Sequence, residues 1–197
     1  MSWKRCRALI ASDLWRHDGR LGTRLFWWRL LSTPGFRYTV LLRLYAWLRG
    51  TAWGGLGPRQ CIVLLLHRYG IRYGLGISRD ARIGSGFYIG HFGGIFVNTG
   101  VVIGDNCNLS QGVTLGQLNR GERAGCPTIG NHVYIAPGAK VLGRIHIGDF
   151  VAIGANAVVV NDVAAHMSVG GIPARPLSDS GSEGYVNRTD YPPVPPA

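Results

Sequence analysis

Acidic residues are scarce in this chain. Ten Asp and Glu stand against 21 Lys and Arg, and charged residues make up only 16% of the sequence, low for a soluble globular protein. The shortage is local. Residues 1–75 hold thirteen basic side chains and two acids, Asp13 and Asp18, whereas residues 76–197 hold eight of each sign. Paired cysteines are missing as well. Cys6, Cys61, Cys107 and Cys126 stand far apart, which argues against a disulfide framework or a zinc knuckle and for reduced thiols in the cytoplasm. No apolar run nears the roughly twenty residues of a membrane span; "CIVLLL" at 61–66 stops well short. Arginines interrupt every candidate signal-peptide core.

The chain has 30 glycines, and all six tryptophans fall in the basic first part. Two chemically different segments therefore meet near residue 75. In the first, residues 24–31 ("RLFWWRLL") and 36–49 ("FRYTVLLRLYAWLR") read as helices separated by "STPG". Arg37, Arg43 and Arg49 are six apart, so they project in different directions and leave no clean polar face. Such helices suit a membrane interface, where Arg and Trp meet headgroups, or a cap that packs on the rest of the chain or builds an oligomer. The membrane reading places the chain at the inner face of the cytoplasmic membrane, as a peripheral contact. The segment is too apolar for a nucleic-acid partner. At the other end, residues 178–197 are polar and proline-rich and read as a disordered tail.

From residue 77 an aliphatic side chain recurs every six positions: Ile77, Ile83, Ile89 and Ile95. After a slip of two the series runs Val97, Ile103, Leu109, Leu115, and beyond residues 116–128 it returns as Ile129, Ile135, Val141, Ile147, Ile153, Val159. Six is neither a helical period nor that of a β-meander. It fits a short strand and a corner, three to a coil, stacked as a prism of about four to five coils. The expected fold is a left-handed parallel β-helix over residues 76–177, behind an N-terminal α-helical segment.

The glycine-rich loop "GQLNRGERAGCPT" (116–128) breaks the period, and loops on rigid scaffolds are where function concentrates. The coil containing His91 is expected beside it. The run "ISRDARIGSGFYIGHFGG", followed by "VVIGDNCNLSQGVTLG", "CPTIGNHVYIAPGAKVLGRIHIGDFVAIGANAVVV" and "GGIPARP", resembles the serine acetyltransferase branch of the hexapeptide acyltransferases. Within it the chain looks most similar to polysaccharide-type members such as the colanic-acid acetyltransferases, which share "CP.IG" after the loop.

The resemblance implies an O-acetyltransferase using acetyl-coenzyme A, with His91 as general base. An imidazole can take the proton of an attacking alcohol and return it to the leaving thiolate. It also implies coenzyme A binding at Gly116, Ala136, Gly138, Ala139, Lys140, Gly154 and Ala155, with Arg175 near the phosphates, in grooves of a homotrimer. The family's aspartate before the histidine is here Gly90, its orienting aspartate aligns with Gly76, and its Arg-His pair aligns with Gly125 and Cys126. Loss of those charges points away from an amino-acid acceptor. The expected acceptor is therefore a sugar hydroxyl of an exopolysaccharide or lipid-linked glycan, with Asn98 and Cys126 as substrate contacts. The alternatives are a serine O-acetyltransferase of cysteine biosynthesis and a non-catalytic β-helix scaffold. Metal catalysis is not expected, because His91, His132 and His146 lack the spacing of a zinc β-helix enzyme.

Overall fold

The computed structural model describes residues 1–51 and 57–196; residues 52–56, Trp53 among them, and Ala197 lie outside the described residues. Four helices come first: α1 (Trp3–Asp18), α2 (Thr23–Ser32), α3 (Pro34–Leu48) and α4 (Pro58–Tyr73). Local chemistry sets their ends. The Ser2 side chain accepts the Arg5 N–H at the start of α1, and Gly19 closes it in the left-handed conformation, the usual roles of serine and glycine at helix termini. Pro34, whose missing N–H costs nothing in a first turn, opens α3. The helices expected at 24–31 and 36–49 are α2 and α3; α1 and α4 carry no comparable signal.

From Leu75 onward short strands wind into three parallel sheets. The first face stacks Leu75–Ile77, Ile95–Val97, Thr114–Gly116, Lys140–Leu142 and Val158–Val159. The second stacks Arg82–Ile83, Val102–Ile103, Thr128–Ile129 and His146–Ile147. The third stacks Tyr88–Ile89, Asn108–Leu109, Tyr134–Ile135, Ala152–Ile153 and Ser168–Gly171, finished by the antiparallel strand Ala174–Ser178. This is the expected parallel β-helix, about five coils deep. Its core is the hexad series itself. Val97, Leu115, Val141 and Val159 lie in register down the first face, and all are almost wholly buried. Only Ile83, at the open end, is half-buried.

The slip of two in the hexads has a structural meaning. Register pairs Ile89 with Leu109 and Val97 with Leu115. Eight positions therefore separate the paired residues in the first coil, against six in the next. The two extra residues enlarge the corner 90–94, which contains His91.

The first coil has no coil above it, so its upper backbone groups need other partners. Helix side chains supply them. Ser12 Oγ accepts the Gly86 N–H at 2.9 Å and Asp13 Oδ1 that of Phe87 at 2.9 Å. Arg43 donates to the carbonyls of Ile83 and Gly84, and Arg16 to that of Gly86. Asp13 and Arg43 form an ion pair at 3.0 Å with both side chains buried. Burial pushes the Asp13 carboxyl up, and Arg43 pulls it back down. The helical segment is thus a cap on the β-helix. On its outer side α2 leaves Trp27, Trp28 and Leu31 exposed, and no described helix is long and apolar enough to cross a membrane.

The tail departs from the expected disorder. Ser182 is buried, and its N–H donates to the Phe150 carbonyl. Tyr185 stacks on Tyr134 with centroids 4.5 Å apart. Asn108 Nδ2 donates to the Tyr185 carbonyl, Arg16 Nε to that of Asn187, and Trp15 Nε1 to Asp190. The tail is too polar to form a core, but donors already fixed on α1 and the third face bind its carbonyls.

Two predictions follow from the cap. Removing Asp13 (Asp13→Ala) strands a buried guanidinium and is expected to cost about 3 kcal/mol or more in urea unfolding. His17 lies between Phe36 and Tyr88, with ring centroids at 5.6 and 4.6 Å. Burial, helped by Arg29, depresses its pKa to about 4. An unfolded ring titrates near 6.5, so the stability it contributes is complete above that pH and is lost as pH falls towards 4. The loss amounts to roughly 3 kcal/mol. Thermal melts of His17→Phe should lack that share of the wild-type acid sensitivity.

Candidate active site

Three edges run along the prism, and each is a column of corners. Corners 90–94, 110–113, 136–139 and 154–157 form the edge from the third face to the first; we call it the histidine edge. Segments 98–101, 117–127 and 143–145 form the loop edge, from the first face to the second.

His91 is exposed on its enlarged corner. It lines the mouth of a cavity of about 320 Å³, whose other walls include Arg16, Tyr88, Tyr134, Tyr185 and Arg188. Among the described residues none hydrogen-bonds to its ring. A larger open groove of about 800 Å³ lies between α4 and the first face, with His67, Gly76 and Phe96 in its wall. His91 is not part of it, which is why the smaller cavity is the candidate site.

The expected cofactor positions divide. Ala136, Gly138, Gly154 and Ala155 lie on the histidine edge below His91. Ala139 shares that edge, but its methyl is in the core and its carbonyl accepts the Thr114 N–H. Lys140 begins a first-face strand, and its Nζ donates to the Gly112 carbonyl at 2.5 Å and to Thr114 Oγ1 at 3.2 Å. Arg175 is exposed on the closing hairpin.

Gly116 ends a strand at the opposite margin of the first face, towards the loop edge. The two expected substrate contacts are there too. Asn98 Oδ1 accepts the N–H of Thr99 at 2.6 Å. Cys126 Sγ would lie 3.0 Å from a Cβ built on Gly100 and is 4.0 Å from Gln117 Oε1. The long loop, pinned by the Leu118–Gly125 bridge and by Arg144, is therefore not beside His91 within one chain, contrary to expectation. The width of the first face separates them.

The two glycines that stand where the resemblance places aspartates lie against aromatic rings. A Cβ at Gly76 would come within 2.4 Å of the Phe96 ring, and one at Gly90 within 2.9 Å of the Tyr88 ring. A side chain at either position would have to displace that ring, and the Phe96 ring is exposed. The residues missed from the sequence are Arg16 on α1 and Arg188 in the tail, which the fold brings to the same cavity as His91. The signal for the enlarged corner was present as the slip of two; nothing in the pattern announced the two arginines. His132 stacks on Phe150 at 4.6 Å, and His146 is exposed on the second face. The three histidines do not converge. Among the described residues no cluster of three or more His, Cys, Asp or Glu could hold a metal ion.

The family model for bacterial transferase hexapeptide (six repeats) matches residues 126–161. A serine acetyltransferase from Synechococcus elongatus is 40% identical over 152 residues, covering 77% of this chain and 60% of the relative. The chain thus spans about three fifths of that curated relative. Among solved structures, serine acetyltransferase of Neisseria gonorrhoeae in complex with serine superposes with a TM-score of 0.73 at 29% identity, over 90% of this chain and 71% of the other. That of Brucella abortus gives 0.71 at 30% identity, over 90% and 69%. Coverage of nine tenths must include most of residues 1–75, so the helical cap is shared.

These relatives overturn the expected glycan acceptor, for they carry the name serine acetyltransferase and none the polysaccharide type. The missing charges at the four aligned positions do not leave the cavity uncharged, because Arg16 and Arg188, brought from α1 and the tail, line it with His91. On this combined ground of identity, coverage and coil architecture, the chain belongs to the serine acetyltransferase branch of the hexapeptide-repeat acyltransferases.

Proposed function

We propose that this chain transfers an acetyl group from acetyl-coenzyme A to the hydroxyl of L-serine, with His91 as general base. The observation that carries the reading is the position of His91, exposed on an enlarged corner at the mouth of a cavity, in a chain of this branch. The imidazole accepts the serine hydroxyl proton as the oxygen attacks the thioester carbon. The tetrahedral intermediate then expels the coenzyme A thiolate, which takes the proton back from the imidazolium. Corner N–H groups are suited to hold the developing oxyanion.

Acetyl-coenzyme A would lie along the histidine edge. Ala136 is two coils from His91 and Gly154 three, about 10 and 14 Å at the usual spacing, a span that suits an extended acyl-carrying arm. Gly138 and Ala155 sit on the same column, with Lys140 and Arg175 flanking it. A homotrimer supplies what one chain lacks: the loop edge of a neighbouring copy, carrying Asn98, Gly116 and Cys126, would face the histidine edge and complete each site. The exposed Trp27, Trp28 and Leu31 of α2, amid an excess of arginine, support a peripheral membrane contact.

The deciding variant is His91→Ala. The corner is exposed, so the variant should keep the wild-type melting temperature and trimeric mass. Thiol release with L-serine should fall by about a hundredfold to ten-thousandfold. Unchanged turnover would remove His91 from the chemistry; wild-type protein without thiol release would favour the scaffold alternative. Sedimentation with anionic liposomes at low salt checks the membrane contact, and protein left in the supernatant rejects it.

A further inference from the structure

Arg16 presents an imbalance. It is 2% exposed, yet among the described residues it forms no ion pair. Its guanidinium donates to three neutral oxygens: Gly86 O and Asn108 Oδ1, each at 2.7 Å, and Asn187 O at 2.8 Å. The nearby acids are committed elsewhere. Asp13, one helical turn away, is paired with Arg43, and Asp18 accepts two bonds from Arg29, at 2.7 and 2.5 Å. Burying a cation without a counter-ion is expensive, and burial accordingly lowers the Arg16 pKa. The same side chain lines the cavity that His91 opens onto.

A second guanidinium reaches this cavity from the tail. Arg188 lines it, and its Nη1 donates to the His17 carbonyl at the end of α1. That contact fixes the fork and leaves its Nε and Nη2 N–H groups without a partner among the described residues. Among the described residues the rest of the lining comprises tyrosines, polar amides, Ser110, Leu109 and Gly90, with no Asp or Glu. The cavity is therefore strongly positive and of a size for a small molecule.

We infer that this cavity binds the carboxylate of the acceptor, with Arg188 as its direct fork-shaped partner and the buried charge of Arg16 beneath it. The inference rests on the serine reading and deepens it. In this chain the acceptor clamp is built from α1 and the C-terminal tail, on the same side of the prism as the base, and it does not depend on charged residues at positions 125 and 126 of the loop. The ammonium group of the acceptor would meet tyrosine hydroxyls and ring faces in place of a carboxylate. Because the cavity roof is the tail itself, residues 185–188 become specificity-determining.

The test compares L-serine with L-serinamide, which lacks the negative charge, in wild type and Arg188→Gln. Thiol release gives KM for each acceptor and for acetyl-coenzyme A, and melting temperatures check the fold. Wild type should prefer serine over serinamide by about tenfold or more, and Arg188→Gln should erase that preference by raising KM for serine. Arg188→Lys should restore part of it. A preference that survives Arg188→Gln overturns the inference and leaves the proposed activity standing. A rise confined to KM for acetyl-coenzyme A also overturns it, since the anion would then be a coenzyme phosphate. Absence of turnover with serine in wild type sinks the proposed activity. Calorimetric titration then decides the inference: binding of serine but not serinamide, lost in Arg188→Gln, upholds it, and binding of neither ligand rejects it.

Discussion

A β-helix satisfies its backbone by stacking one coil on the next, so its first coil is always left with unpaired groups on one side. In this protein that exposed rim is closed by side chains of α1 and α3. Ser12, Asp13, Arg16 and Arg43 bond to backbone groups of residues 83–87. Everything on the candidate site depends on this closure. Arg16 alone joins four parts of the molecule: its own helix, the Gly86 carbonyl of the first coil, Asn108 of the second coil, and Asn187 of the tail. The cap, the coils and the roof of the cavity are thereby held in one arrangement around a single buried cation.

The rest of the site follows from a departure from regularity. A uniform prism has narrow corners. Two extra residues in the corner 90–94 enlarge it, and His91 occupies the enlargement. The family resemblance identified the imidazole, and the register explains why it is presented. Within one chain the width of the first face separates His91 from the long loop.

The hexad series was legible because the constraint behind it is local and repeated: one aliphatic per side of a narrow triangular core, where only small and branched side chains fit. Val97, Leu115 and Val141 could be placed without knowing anything else about the molecule. The second and third helices were legible for a similar reason, since Pro34 and the apolar run around it are contiguous. Gly76 and Gly90 show the limit of position-by-position reading. Their lack of a carboxylate was plain, but the Phe96 and Tyr88 rings beside them, and the arginines that bring charge from elsewhere, were not.

By itself the sequence determined the parallel β-helix, because it is written in a fixed period, and showed a change of composition near residue 75; the resemblance of its motifs to a known family, not the period, pointed to His91. The tertiary structure alone decided that the tail is bonded through Ser182, Tyr185, Asn187 and Asp190, that Arg16 and Arg188 share a cavity with His91, and that the loop is on another edge. Those facts join residues 172 positions apart in Arg16 and Arg188, and 175 apart in Trp15 and Asp190. No local pattern encodes such contacts; they arise only when the cap closes the open coil and the tail crosses back over it.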